Sequence, residues 1–572
     1  MTMKFYDLAK TFASIEAVTK RSEISFYLAE IFKKADPREV KVIPYLIQGR
    51  LGPAFAYPDF NIDEHRITES LAKATGKGTN DIWVLYKTLG DLGLVASEVL
   101  PEKDRLLSIY QIYRDLTKIA QTVGPRSTEI KVELLVGLLA QLSKLEARYI
   151  VRIVQGKLRL GVGDATVMEA LARGLGKPEL RSEIERAYTL SSDLGLVAET
   201  LLTEGVKGVQ MFGPTPGRPV MPALAQRVSR AEDAIKKIGR VIAEPKYDGL
   251  RLQLHKRDDR IWLFTRRLED ITHALPDVVR AAKKQVLAAE VIIDGEVVGF
   301  NPQTGKFSPF QQVARRRRKY KIEEIEFAYP VRYFVFDLLF QNGQNLISQP
   351  LQSRLKLLDQ VIKEIPQGII FIVPRLETGD VNKLENFFNQ MIKEGLEGVL
   401  VKRPDAPYHA GARLFNWIKL KRGYGALADT FDVAVVGYFK GKGKRAAFGI
   451  GSLLCAVFDP LNDRFRTVSR VGSGLTDEEW REFKRKLDEV SITEKPAQVD
   501  SAVLPDVWVQ PQYVIEVIAG EVSRSPRHTA GKVGKEKGYS LRFPRVSRFR
   551  FDRRAEDAAT EKEIIQAFQR QF

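Results

Sequence analysis

In the stretch "LLSIYQIYRDLTKIAQTVGP", apolar residues recur at Leu106, Ile109, Tyr110, Tyr113, Leu116 and Ile119. That is the spacing of one helix face, and Gly124-Pro125 ends it. Glycine and proline punctuate the first 212 residues at similar intervals, which predicts an all-α region. The pattern changes after the Pro/Gly linker "GPTPGRPVMP" (213–222). Short strand-like runs follow: "RLQLHKR", "RIWLFTRR", "VIIDGEVVGF", "VRYFVFDLLF", "EGVLVKR" and "NWIKLKR", with the helical "VNKLENFFNQMIKEG" between them. An α+β domain is therefore expected over 213–422. Beyond it, "FDVAVVGYF", "SLLCAVF", "RFRTVSRVG" and "YVIEVIAG" alternate with glycine turns, with one helix in "DEEWREFKRKLDEV" and another expected near the end. Short strands in a unit of this size predict a small β-barrel over 423–572, an OB-fold first of all. The expected domains are thus 1–212, 213–422 and 423–572.

The helical region carries an internal repeat. "DLGLVA" stands at 91–96 and again at 193–198, and each copy follows a related glycine loop, "IQGRLGP" (47–53) and "VQGKLRLGVG" (154–163). The shared order points to a duplication that presents two similar loops. Each loop sets glycine N–H groups beside Lys or Arg, a combination suited to phosphate oxygens or, alternatively, to capping helices.

Charge sharpens this. Ninety Lys and Arg against 72 Asp and Glu leave a net charge of +18, which favours a polyanionic partner, nucleic acid first. The single cysteine, Cys455, lies in an apolar run and reads as a buried small hydrophobe. One cysteine and five histidines exclude a disulfide framework and a cysteine-rich zinc module. "MTMKFYDLAKTF" lacks the apolar core of a secretory leader, and no run is long enough to span a bilayer. With nuclear targeting tails absent, a prokaryotic cytoplasmic protein without membrane contact is expected.

Candidate chemistry concentrates in "EPKYDGLR" (244–251). A lysine nucleophile must be neutral, which takes burial or neighbouring cations. Lys419 and Lys421, two apart on a predicted strand, share a face and can supply such cations. Glu296 and Glu397 are hard oxygen ligands suited to magnesium, and Phe336 can stack on a base or fill the core.

The ordered set Lys-Tyr-Asp-Gly, Asp-Gly-Glu, Phe-Asp-Leu, Glu-Gly-Val-Leu-Val-Lys and Trp-Ile-Lys-Leu-Lys, followed by a barrel, resembles the covalent nucleotidyltransferases. More narrowly, nearly the whole chain resembles the ATP-dependent DNA ligases of the archaeal and eukaryotic replicative type. The resemblance implies that Lys246 becomes adenylylated and that Glu244 recognises adenine. It assigns Arg251 to ribose and nick, Arg266 and Glu296 to ribose, and Phe336 to stacking on adenine. Lys419 and Lys421 would bind phosphate, and Glu296 with Glu397 would attend Mg2+ or Mn2+. In "SLRFPRVSRFRFDRR", Arg550 and Asp552 match a motif that engages the ATP pyrophosphate, while Arg553 stands where the family has lysine. In "GKLRLGVG", Lys157, Arg159, Gly161 and Gly163 match a loop that grips DNA backbone phosphates. "ARRRRKY" (314–320) reads as a further basic strip or a solvated charge run.

The implied activity is sealing of nicked double-stranded DNA in replication and repair by a monomer. Three alternatives remain: an RNA ligase or capping guanylyltransferase, an NAD-dependent ligase (which would carry four zinc cysteines), and a non-catalytic DNA-binding scaffold. A sliding clamp is a possible partner, although "VQMFGP" (209–214) lacks a clamp-binding pattern.

Overall fold

A computed structural model describes the chain except residues 1, 19, 104–106, 157, 159, 161, 176, 229, 309–312, 314–315, 317–321, 422–429, 442–447, 535, 570 and 572. It divides into two compact units, Met1–Leu420 and Lys421–Phe572.

The first unit opens with the predicted helices. Ile109–Gln121 is capped by Ser108, whose hydroxyl accepts from Gln111 N–H while the Gln111 side chain returns to the cap, satisfying end groups of the helix reciprocally. The duplication is visible, and its halves are exchanged. Leu194–Thr203 packs on Pro37–Ile47, and Leu92–Val99 packs on Lys144–Val154. Likewise Asp164–Gly174 packs on Arg21–Lys34, and Glu64–Thr75 on Ser127–Leu139. Every one of these pairings joins one half to the other.

Polar contacts obey the same symmetry. Three residues before each loop's Gln-Gly, Tyr45 donates to Asp193 at 2.5 Å and Arg152 donates to Asp91 at 3.2 Å. The loop glutamines do likewise, Gln48 to Asp164 and Gln155 to Glu64. This explains "DLGLVA". Asp91 and Asp193 cap their helices, accepting from Leu94 and Leu196 N–H. Gly93 and Gly195 let the backbones cross, since a Cβ there would lie 2.5 Å from Arg148 O and 2.3 Å from Lys41 O.

The α+β part holds two sheets. One runs β1 (Leu224–Val228), β12 (Arg413–Lys421), β11 (Gly398–Lys402), β2 (Val241–Pro245), β10 (Leu376–Thr378). The other runs β4 (Arg260–Thr265), β3 (Leu250–Arg257), β5 (Glu290–Phe300), β7 (Val331–Gln341), β8 (Gln344–Asn345), with β6 (Phe307–Ser308) on β5 and β9 (Ile370–Ile372) on β7. The sheets share a core, in which Val241, Ala243, Val399 and Ile418 meet Ile292, Phe334, Phe336 and Phe340. The second sheet's far face packs on helices Pro276–Gln285 and Leu351–Val361. Burial on both faces makes β5 and β7 almost continuously apolar instead of alternating.

The second unit is the expected curled, strand-rich fold. Thr430–Phe439 pairs with Val514–Ile518 along its first half and with Val507–Val509 further on, and a bulge between Val435 and Gly437 bends it. Cys455 is buried, and helices span Asp477–Glu489 and Glu561–Gln569. Among the described residues, no helix is long and apolar enough to cross a membrane.

Candidate active site

Lys246 directly follows β2. Its N–H donates to Gly398 O at 2.9 Å, and its carbonyl accepts from Glu397 N–H at 3.2 Å. This clasp brings Nζ to 2.5 Å from Glu397 Oε2, both side chains being about a quarter exposed. The "YDG" glycine is dictated by packing, since a Cβ on Gly249 would lie 2.3 Å from Val297 O. Gly295 of "DGE" is similarly constrained, 2.6 Å from Phe334 O. The "KYDGLR" and "DGE" segments therefore meet where β3 pairs with β5, Arg251 opposite Glu296.

Burial pushes the Glu296 carboxyl up to about 7, against the pull of Lys246 and Arg251, while Asp294 and Glu397 add to the rise. Between its usual 4.5 and about 7, the folded protein keeps a proton that the unfolded chain has lost. Stability therefore falls as pH rises through that window. Glu296→Gln removes this titration. Its melting temperature is expected to fall less than that of wild type from about pH 5 to 7.5 at constant ionic strength. Identical pH profiles would contradict the assignment.

Below the lysine lies a buried polar layer. Glu244 Oε2 pairs with Lys402 Nζ at 2.6 Å, both side chains essentially inaccessible. Lys402 also donates to Phe336 O at 3.1 Å, and its Nζ sits 4.4 Å from the ring centres of Phe336 and Trp417. Burial pushes Glu244 up and Lys402 down. Glu244 Oε1 is buried without a hydrogen-bond partner among the described residues. Phe336 is buried, edge-on to Trp417.

Arg251 is already engaged. Nε and Nη2 donate to Asp294 at 3.2 and 2.7 Å, and Nη1 donates to Ala223 O at 2.6 Å. Tyr408 braces the pair by donating to Asp294 at 2.8 Å while accepting from Ala223 N–H. Arg266 is exposed in the turn after β4. Lys419 lies on β12 opposite Arg227 of β1, and Lys421 ends that strand, its side chain outside the described residues.

Arg550 belongs to the second unit, where it pairs with Asp552 and Asp432. Lys157, Arg159 and Gly161 lie outside the described residues. Gly163 is exposed at the N-cap of Asp164–Gly174. Of the run 314–320, only Arg316 is described, and for that residue the basic-strip reading is corrected, the other six lying outside the described residues. Its side chain is buried and bidentate on Asp277 at 2.7 and 2.8 Å, an internal ion pair.

Sequence reasoning missed Asp294, Lys402 and Tyr408. For the first two the signal was present, a charged residue inside an apolar strand run ("VIIDGEVV", "GVLVK"). It also set two lysines beside Lys246 and missed Glu397 as the ion-pair partner, because that contact depends on the Lys246–Gly398 clasp.

A lysine flanked by carboxylates between two packed sheets, with a helical region before it and a curled β unit after, defines a nucleotidyltransferase. The chain belongs to the ATP-dependent DNA ligase family. Residues 222–421 match its model for the ATP dependent DNA ligase domain, 4–172 the DNA ligase N terminus, and 446–553 the ATP dependent DNA ligase C terminal region. The chain is 43% identical over 572 residues to the probable DNA ligase of Dictyoglomus turgidum, covering 100% of this chain and 98% of the relative. It is 42% identical to the DNA ligase of Hyperthermus butylicus and 40% to that of Saccharolobus solfataricus, with the same coverage. A solved structure named Pmar-Lig_Pre shares the fold at 16% identity, with a TM-score of 0.55 over 95% of this chain and 98% of that one.

Proposed function

We propose that this protein seals nicks in duplex DNA, using ATP, through a covalent lysyl-AMP on Lys246. The observation that carries this reading is Lys246 Nζ, held by Glu397 beside the half-buried Glu296. The resting ammonium loses its proton to a base within reach, Glu397 being in contact. The amine then attacks the α-phosphorus, a P–N bond forms, and the bond to pyrophosphate breaks. An oxygen of the 5′-phosphate at the nick next displaces the lysine, which regains its proton. Finally the 3′-hydroxyl attacks that activated phosphate and AMP leaves.

Glu244, whose Oε1 has no partner among the described residues, is assigned to accept a hydrogen bond from the exocyclic amine of adenine. Phe336 and Trp417 form the apolar part of the same layer. Arg251, Arg266, Lys419 and Lys421 are assigned to ribose and phosphates, and Arg550 to the pyrophosphate. Among the described residues, no group of three or more side chains makes a metal cage on its own. Two carboxylates fit an ion that takes one or two protein ligands and fills its shell with phosphate and water. Glu296 and Glu397 would hold magnesium or manganese, which when bound neutralises phosphate charge.

The protein is assigned to replication and repair, acting as a monomer of three domains, 1–212, 213–422 and 423–572, in a prokaryotic cytoplasm. The two glycine loops of the helical region are read as holding the duplex by its phosphates. Replacing Lys157 and Arg159 with Ala is expected to reduce the slope of log affinity against log salt by about 1 to 2, with self-adenylylation unchanged. An unchanged slope in a nicked-DNA titration would remove that loop from the interface. For the function itself, a nicked duplex is offered ATP, NAD or GTP. Sealing with ATP alone is expected, and sealing with NAD or guanylylation with GTP would overturn the reading.

A further inference from the structure

Where the family places lysine, this chain has Arg553, and the second unit shows what the guanidinium does. Asp432, on the strand Thr430–Phe439, is nearly buried and serves two arginines. Its Oδ2 lies 2.9 Å from Arg550 Nη1 and 2.9 Å from Arg553 Nη1, and its Oδ1 is 3.2 Å from Arg550 Nη1. The other edge of Arg550 faces outward. Nε and Nη2 form a bidentate pair with Asp552 at 3.0 and 2.9 Å, and Asp552 is 65% exposed. Arg550 thus has one edge anchored on a fixed carboxylate and one edge on a solvent-facing carboxylate that an incoming anion can replace. Arg553 Nη1 also donates to Asp557 O at 3.3 Å, so one nitrogen of this exposed arginine meets both partners. Both contacts are made by the one nitrogen Nη1, and a lysine ammonium on a flexible stem keeps the charge but not the fixed position of that nitrogen.

We propose that Asp432 is a positioning residue for the first step of the reaction. It fixes the Arg550 guanidinium so that its outer edge meets the departing pyrophosphate, and Arg553 is the brace that keeps Asp432 in place. This rests on the assignment of Arg550 to the pyrophosphate. Guanidinium groups that stabilise phosphate charge must be held in place before the reaction, and such placement comes from the residues behind them.

The test uses the full-length protein and the variants Asp432→Asn, Arg553→Lys and Arg550→Ala. Asn keeps the shape of Asp432 but loses the charge, and its NH2 confronts an arginine N–H. Two steps are measured separately: self-adenylylation across a range of ATP concentrations, and sealing of a nick already adenylylated at its 5′ end, without ATP. Asp432→Asn is expected to slow self-adenylylation, or raise the ATP needed for half-maximal rate, by about tenfold or more, with sealing of the adenylylated nick within about twofold of wild type. Arg553→Lys is expected to show the same split, smaller in size. Wild-type adenylylation by Asp432→Asn, or an equal loss in both steps, would overturn the proposal. Should Asp432→Asn melt far below wild type, Arg553→Lys decides in the same way, a split supporting the proposal and its absence overturning it. Arg550→Ala separates the two levels: if it adenylylates normally, the pyrophosphate assignment itself is wrong. If it is impaired while Asp432→Asn is not, only the positioning role fails.

Discussion

Replacing Lys246 with Ala abolishes the covalent adduct. Wild-type protein incubated with α-labelled ATP and magnesium is expected to carry label through a denaturing gel, and Lys246→Ala to carry none. The effect is expected to be all-or-none because Lys246 supplies the nitrogen that bonds to phosphorus. The other amine in the layer, Lys402, is buried and committed to Glu244 and Phe336 O. Variants of other site residues weaken the placement of ATP, but only this one removes the atom that forms the bond. Label persisting on Lys246→Ala would mean another nucleophile. Unlabelled wild type would leave a DNA-binding protein with an inactive core.

The second large effect is on stability. Lys402→Met leaves Glu244 in the interior without its counter-ion, and removal of one partner of a buried pair costs about 3–5 kcal/mol. The unfolding midpoint in urea should drop sharply. Adding Glu244→Leu to Lys402→Met should recover much of the loss, since an apolar pair of similar volume removes the uncompensated charge. A single variant within about 1 kcal/mol of wild type would show that Glu244 takes up a proton at little cost.

The chain declared its architecture through spacing. The helix face around Leu116, the strand runs around Glu296 and Phe336, and the barrel strand around Cys455 all lie where periodicity and turn residues put them. The duplicated "DLGLVA" was also legible, because Asp at an N-cap and Gly at a close crossing are local demands. The exchange of helices between halves was not, since no local signal states which copy a helix packs on. At the site, the motif order located Lys246, Glu296 and Glu397, but pairing across distant segments escaped it. Lys402 with Glu244, Arg251 with Asp294 and Tyr408, and Arg316 with Asp277 all depend on register and on strands folding over one another. Arg316 is the clearest case, for four successive arginines read as one surface, whereas Arg316 is buried on Asp277, a partner nearly forty residues away that no local signal names.

The central claim is that Lys246 carries AMP from ATP to DNA. It is tested most directly by isolating the labelled wild-type protein free of ATP and adding a duplex with a single nick. The account predicts that label leaves the protein, appears transiently on the 5′ end at the nick, and is released as AMP in step with the sealed strand. Label that stays on the protein, or sealing that occurs only when fresh ATP is supplied, would contradict it.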